Sequence, residues 1–226
     1  MTIYSKIPIF IALAFLIPLK IFSQKLPVGY IEQYSEKCIN QTFFKTFLPE
    51  ELSEWKFISV PKGTILSITV KDSLSDHIFP ETKGIINNLI FGDCIIEFEF
   101  KLNKKTLGND GFCFLGPVKS LNTYYAFLFT SDSVSFSFIN NGKVIPIEKQ
   151  VAFNITDNWN KVRIERYILN RSSSIIINSD YAHKIIFTDL NLVMGFVGFG
   201  SNQASCFLRN VKIWAPTSID SIFAWH

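Results

Sequence analysis

The chain has 226 residues, with 22 Lys and Arg against 19 Asp and Glu, and 48% of its residues are hydrophobic, 23 Phe among them. That apolar share excludes intrinsic disorder, and the length suits one domain or a domain with a short appendage. A formal charge of +3 without any Lys/Arg block argues against nucleic acid as a partner.

The N-terminus reads as an export signal. Met1 to Lys6 carries one cation, Lys6, and Ile7 to Leu19 is an uncharged apolar run of 13 residues. Lys20-Ile21-Phe22-Ser23-Gln24 follows, with small Ser23 as the expected last residue before cleavage. This is the order of a secretory signal. A membrane anchor is the weaker reading, because a span needs about 20 residues and Pro8 and Pro18 bracket this run. No Cys follows it closely, which argues against a lipid anchor. Loss of residues 1–23 removes Lys6 and Lys20, so 20 cations face 19 acids and the formal charge falls to about +1. The mature chain is expected to be secreted, periplasmic or cell-surface, with no stable membrane span after signal cleavage.

Residues 24–53 read as an extended lead-in, in which Leu48-Pro49-Glu50-Glu51-Leu52 suits one helical turn. From Trp55 the pattern becomes short β segments. Cys94, Ile96, Phe98 and Phe100 point one way and Glu97, Glu99 and Lys101 the other, as in a half-buried strand. Gly111 to Leu115, Thr123 to Thr130 and Val134 to Ile139 follow. In the last of these, Ser135 and Ser137 alternate with Val134, Phe136 and Phe138. Asn141-Gly142 is a two-residue hairpin signal, since both turn positions want positive φ. Lys161 to Glu165, Ser173 to Asn178, Lys184 to Phe187, Val193 to Phe199 and Ser205 to Trp214 complete the strands. No segment after the signal holds a helical period. The expected fold is therefore all-β, an antiparallel sandwich, barrel or jelly roll spanning residues 54–215, with a tail at 216–226.

Several pieces carry a resemblance. W-x5-P-K-G-T occupies Trp55 to Thr64, I-F-G-D-C-I-I-E-F-E-F-K Ile90 to Lys101, and N-D-G-F-C-F Asn109 to Phe114. D-N-W-N-K-V-R-I-E-R lies at Asp157 to Arg166, G-F-V-G-F-G at Gly195 to Gly200, and C-F-L-R-N-V-K-I-W at Cys206 to Trp214. This order resembles secreted bacterial domains of the concanavalin A-like lectin/glucanase superfamily, in particular the 3-keto-disaccharide hydrolase group related to family 16 glycoside hydrolases. The resemblance implies a two-sheet jelly roll (antiparallel β-sandwich) with a concave face that often meets carbohydrate in relatives. Where many relatives carry a polar site, this chain has Phe112 to Leu115 and Tyr125 to Leu128. The resemblance thus informs fold more than chemistry.

Glu97 and Glu99, two apart on one strand, project from one face at about 6.5–7 Å spacing. Glycosidases use two carboxylates, about 5–5.5 Å apart for retention and about 6.5–9.5 Å for inversion. Glu97 and Glu99 are thus the candidate catalytic pair, against the plainer reading of a polar sheet face beside Lys101, Arg163 or Glu165. The E-x-D-x-x-E pattern of family 16 is incomplete, since Asn103 and Lys104 follow Lys101. Tyr124, Tyr125, Asp110 and Arg163 are the expected ligand contacts, and Trp55 and Trp214 are further aromatics suited to sugar stacking. His77, His183 and His226 lack zinc spacing, and no G-x-S-x-G elbow is present. Asn109-Asp110 and Asp157-Asn158 offer hard oxygens to calcium, or simply form turns. Gly195 to Gly200 lacks the Lys-Ser/Thr of a phosphate loop. Cys38, Cys94, Cys113 and Cys206 permit two disulfides or buried thiols. If Cys94 and Cys113 flank a hairpin centred near Thr106-Leu107, Cys94 faces position 119 and the two do not bond. The expected function is glycan binding without catalysis. A glycoside hydrolase or lyase and a structural or protein-binding module are the alternatives.

Overall fold

A computed structural model of the chain describes residues 26–36, 47–49, 55–61, 63–69, 80, 82–103, 110–188, 192, 194–216 and 219–220. The expectations for the export signal, Cys38, His77, Asn109 and His226 lie outside the described residues.

Among the described residues sixteen strands occur in chain order: β1 Ile31–Glu36, β2 Phe47–Pro49, β3 Trp55–Val60, β4 Gly63–Ile68, β5 Thr82–Phe91, β6 Cys94–Leu102, β7 Gly111–Ser120 and β8 Thr123–Phe129. They continue with β9 Ser133–Asn140, β10 Lys143–Ala152, β11 Asn160–Tyr167, β12 Ser172–Ile177, β13 Ile185–Thr188, β14 Gly195–Asn202, β15 Cys206–Ala215 and β16 Ile219–Asp220. Among the described residues there is no helix. The strands form two antiparallel sheets. The first runs β13-β12-β11-β6-β15-β4-β3, with β1 also on β15. The second runs β10-β9-β8-β7-β14-β5-β16, with β2 also on β5. The fold is an open antiparallel β-sandwich of two sheets.

Alternation decides which residues enter the core. In β6, Cys94, Ile96, Phe98 and Phe100 face inward, as the period-two pattern requires. The facing strands supply Phe112, Phe114, Phe127, Phe129, Phe136 and Phe199. The rings pack in preferred geometries: Phe100 stacks on Phe112 at 4.8 Å and Phe127 on Phe136 at 4.4 Å. Phe199 meets Phe98 edge-on at 5.4 Å. This layer accounts for much of the phenylalanine content. Trp55 also belongs to it, 2% exposed, with its indole N–H donating to Thr82 Oγ1 at 3.0 Å.

Two local expectations change. Leu48 and Pro49 lie in β2, opposite Ile85 and Gly84 of β5, not in a helical turn. A proline is tolerated on such an outer strand, where its missing N–H breaks no ladder. Nor do β6 and β7 form a hairpin. They lie in opposite sheets, because each carries a Phe face that the other covers across the core. Cys94, Cys113 and Cys206 are free and buried. Burial pushes the Cys94 and Cys206 thiols up to about 12.

Gly198 in β14 is required by close backbone approach. A Cβ there would lie 2.5 Å from the Gly84 carbonyl oxygen. The Asn141-Gly142 turn joins β9 to β10 with φ of 48° and 78°, the two positive values that the dipeptide suits.

Candidate functional site

Glu97 and Glu99 project from the outer face of the first sheet. Register puts Glu97 opposite Arg163 of β11, and Glu99 opposite Arg209 of β15. Arg163 Nη1 donates to Glu97 Oε1 at 2.9 Å, and Lys161 Nζ lies 3.0 Å from Glu97 Oε2. Arg163 also donates through Nε to Glu165 Oε1 at 2.9 Å, and Lys184 Nζ donates to Glu165 Oε2 at 2.8 Å. A continuous chain of alternating charge thus runs Lys161, Glu97, Arg163, Glu165, Lys184. Glu99 belongs to a second cluster. Arg209 Nε donates to its Oε2 at 2.7 Å and Asn210 Nδ2 to its Oε1 at 3.1 Å. The Arg209 guanidinium lies 3.9 Å from the centre of the Trp159 ring, a cation–π contact.

Electrostatics follow the geometry. Burial works to raise the Glu165 carboxyl, but hydrogen bonds from Lys184 and Arg163 outweigh it and hold the group below the usual range. Burial likewise works to lower Arg163, and its bonds to Glu165 and Glu97 reverse the sign. Glu97 and Glu99 therefore sit in two separate ion-pair clusters. Each of their four oxygens already accepts from a protein donor.

The other expected site residues are spread through the molecule. Tyr124 and Tyr125 are adjacent in β8, are each 1% exposed, and face opposite sides of the second sheet. Tyr125 is sandwiched in the core, stacked on Phe136 at 5.1 Å. Tyr124 lies in a second apolar cluster on the outer face, with Cys113, Leu115, Ala126, Leu128 and Phe196. Neither ring face is open to a sugar. Arg163 is 6% exposed and held between two carboxylates. Asp110 stands immediately before β7 and is half-buried. Trp214 is half-buried on the outer face of the first sheet, its ring 6.0 Å from Lys212 Nζ. Among the described residues no three His, Cys, Asp or Glu gather as a metal-binding group, and neither Asp110 nor Asp157 joins one. The Asn158 carbonyl instead accepts from Asn160 Nδ2 at 2.8 Å, which is turn chemistry.

Sequence reading missed Asn160, Lys184, Arg209 and Asn210. Alternation along Lys161, Arg163 and Glu165 signals the first cluster. Arg209 and Asn210 are hidden because the β15 register shifts between Arg209 and Lys212, and Asn210 takes φ 55°. A bulge breaks the period on which strand reading depends.

No family model matches the chain, and no curated protein matches it. Solved structures share its fold at low identity. A carbohydrate-binding module, CBM66, from Bacillus subtilis aligns at 14% identity and TM-score 0.55, over 74% of this chain and 93% of its own. Arcelin-5, a lectin-like defence protein from Phaseolus vulgaris, aligns at 12% identity and TM-score 0.53, over 85% and 99%. The GH43 protein BlXynB from Bacillus licheniformis aligns at 10% identity and TM-score 0.57, over 82% of this chain and 40% of that one. At such identities the likeness speaks for the sandwich itself. Among the described residues no helix is long and apolar enough to cross a membrane.

Proposed function

We propose that the chain is an exported glycan-binding β-sandwich with no catalytic step of its own. The observation that carries the reading is the pairing of Glu97 and Glu99. A glycosidase acid must hold a proton on an oxygen aimed at the leaving group, and its partner carboxylate must reach the anomeric carbon or a water. Here all four oxygens accept from Lys161, Arg163, Arg209 or Asn210. Freeing them would mean breaking half-buried ion pairs. The carbohydrate part of the reading is supported by the shared fold with a carbohydrate-binding module and a lectin-like protein that it nearly spans. Export is supported by the order of residues 1–23.

Affinity electrophoresis through gels cast with soluble polysaccharides tests the binding, and a reducing-sugar assay on the same protein tests the chemistry. Retardation without released sugar is expected. Hydrolysis that disappears in a folded Glu99→Gln variant would instead make the protein an enzyme. Amino-terminal sequencing of the exported protein, beginning at Gln24, is the expected result for the signal.

A further inference from the structure

We infer that the glycan seat is the groove between the β10–β11 connection and the β12–β13 turn, and that it takes an uncharged sugar chain. This deepens the binding reading above and rests on it. The groove opens between the edges of the two sheets. Phe153 and Asn154 line one wall, Asn178, Asp180 and His183 the other, and Ile177 the floor. It is an open groove of about 500 Å³, which lies within the range of small-ligand sites of about 300–1,000 Å³.

Both walls are pinned by backbone bonds. Phe153 N–H donates to the Asp132 carbonyl at 2.8 Å and Ile155 N–H to the Ser131 carbonyl at 3.1 Å. On the opposite wall Asn178 N–H donates to the Lys161 carbonyl at 2.7 Å, and Lys161 N–H returns to Asn178 Oδ1 at 2.9 Å. Asn178 and Ser179 hold φ of 52° and 62°, a tight turn that presents the following residues outward. One fully buried amide stitches the walls together. Asn160, 0% exposed, accepts at Oδ1 from Thr156 N–H at 3.0 Å on one wall and from Asn178 Nδ2 at 3.1 Å on the other. Its own Nδ2 donates to the Thr156 and Asn158 carbonyls, each at 2.8 Å. A buried amide with its bonds made costs nothing unsatisfied and fixes geometry. The groove is thus formed before any ligand arrives, which lowers the ordering cost of binding.

The lining selects the ligand class. Among the described residues that line the groove there is no Lys or Arg, and the Asp180 carboxylate opposes a uronate or a sulfate. Asp180 is paired with His183 Nδ1 at 2.7 Å. A carboxylate, an amide and an imidazole are the acceptors and donors that vicinal hydroxyls use. Phe153 supplies an apolar wall for the C–H face of a ring.

The test uses the mature chain in affinity gels containing laminarin, xylan, galactomannan or dextran, with alginate and polygalacturonate as anionic counterparts. At least one neutral polymer is expected to retard the protein. Asp180→Ala, and Asn154→Trp that fills the groove from an exposed position, are each expected to weaken that retardation about tenfold or more, with unchanged melting temperature. Lys143→Ala, at the opposite end of β10, serves as the control and is expected to bind as the parent. Neutral-polymer binding that survives both groove variants overturns the groove and leaves the binding function standing. Retardation by the anionic polymers alone overturns the uncharged class. Retardation by none of the six overturns both the groove and the function it rests on.

Discussion

Glu165 shows how one residue couples the sheet face to solution conditions. It is 2% exposed, yet it accepts from Arg163 and Lys184, and these bonds hold its carboxyl below the usual range against the opposing effect of burial. A depressed folded value means that the ionised form stabilises the fold. That contribution is fully present above the unfolded carboxylate pKa of about 4.3, and it is lost as pH falls through the lower folded value. Glu165→Gln should cost about 3 kcal/mol near pH 7, because it leaves two cations short of a buried partner. Urea denaturation from pH 7 to pH 3 should show the gap between parent and variant closing only below about pH 4. Phe98 tests the core in the same way. Its ring meets those of Phe100, Phe112, Phe114, Phe129 and Phe199. Phe98→Ala should cost about 3–5 kcal/mol by equilibrium unfolding. The inward set of β6 was legible residue by residue from alternation. The destination of Tyr124 and Tyr125 was not. Polarity suggests that a phenol seeks water, but both strand faces of β8 are covered, and that is a property of the whole packing.

At the scale of elements, the strands legible in sequence were those with one polar and one apolar face. β6, β9 and β11 alternate cleanly, so their bounds and facing agree with the period. β5 carries no such signal: Gly84, Asn87 and Asn88 interrupt it, and it is set by pairing with β14 and β2. β10 is obscured by Pro146 and by two register irregularities against β9. The partnering of β6 was equally illegible, because strand pattern gives the face of a strand and not its neighbour. Turn chemistry was the most reliable local signal. Asn141-Gly142 places both residues at positive φ, and a Cβ on Gly142 would meet nothing within 4 Å. The cost of Gly142→Ala is therefore purely one of backbone conformation, about 1 kcal/mol, read as a lower urea midpoint with unchanged slope. Gly198→Ala should cost more, toward the upper end of the about 1–3 kcal/mol seen for overpacking, since its Cβ would press on the Gly84 carbonyl at 2.5 Å. The ratio of the two separates conformational from steric glycines in one fold.

The two sheets differ in kind over the whole molecule, and this difference decides where a ligand can sit. The first sheet turns an ion-paired polar face outward. The second turns out Cys113, Leu115, Tyr124, Ala126, Leu128 and Phe196, and none of these is more than 4% exposed. The sequence carried half of this contrast: the run of apolar residues at Phe112 to Leu115 and Tyr125 to Leu128 departs from a polar ligand face. It did not carry the closure, because composition cannot tell a buried apolar face from an open apolar cleft. The distinction has a measurable consequence. On an open sheet face a charged side chain is solvated and costs little. On a closed one it must be desolvated without a partner. Leu115→Asp should therefore destabilise by more than about 3 kcal/mol, with loss of the folded far-UV and near-UV circular dichroism at moderate urea. Lys101→Asp, on the outer face of the first sheet, should change the unfolding free energy by less than about 1 kcal/mol. Equal tolerance at both positions would make the second sheet an open face and return it to consideration as the ligand platform. Unequal tolerance removes the second sheet face as a ligand platform and favours, among the described residues, the groove whose walls Asn160 joins.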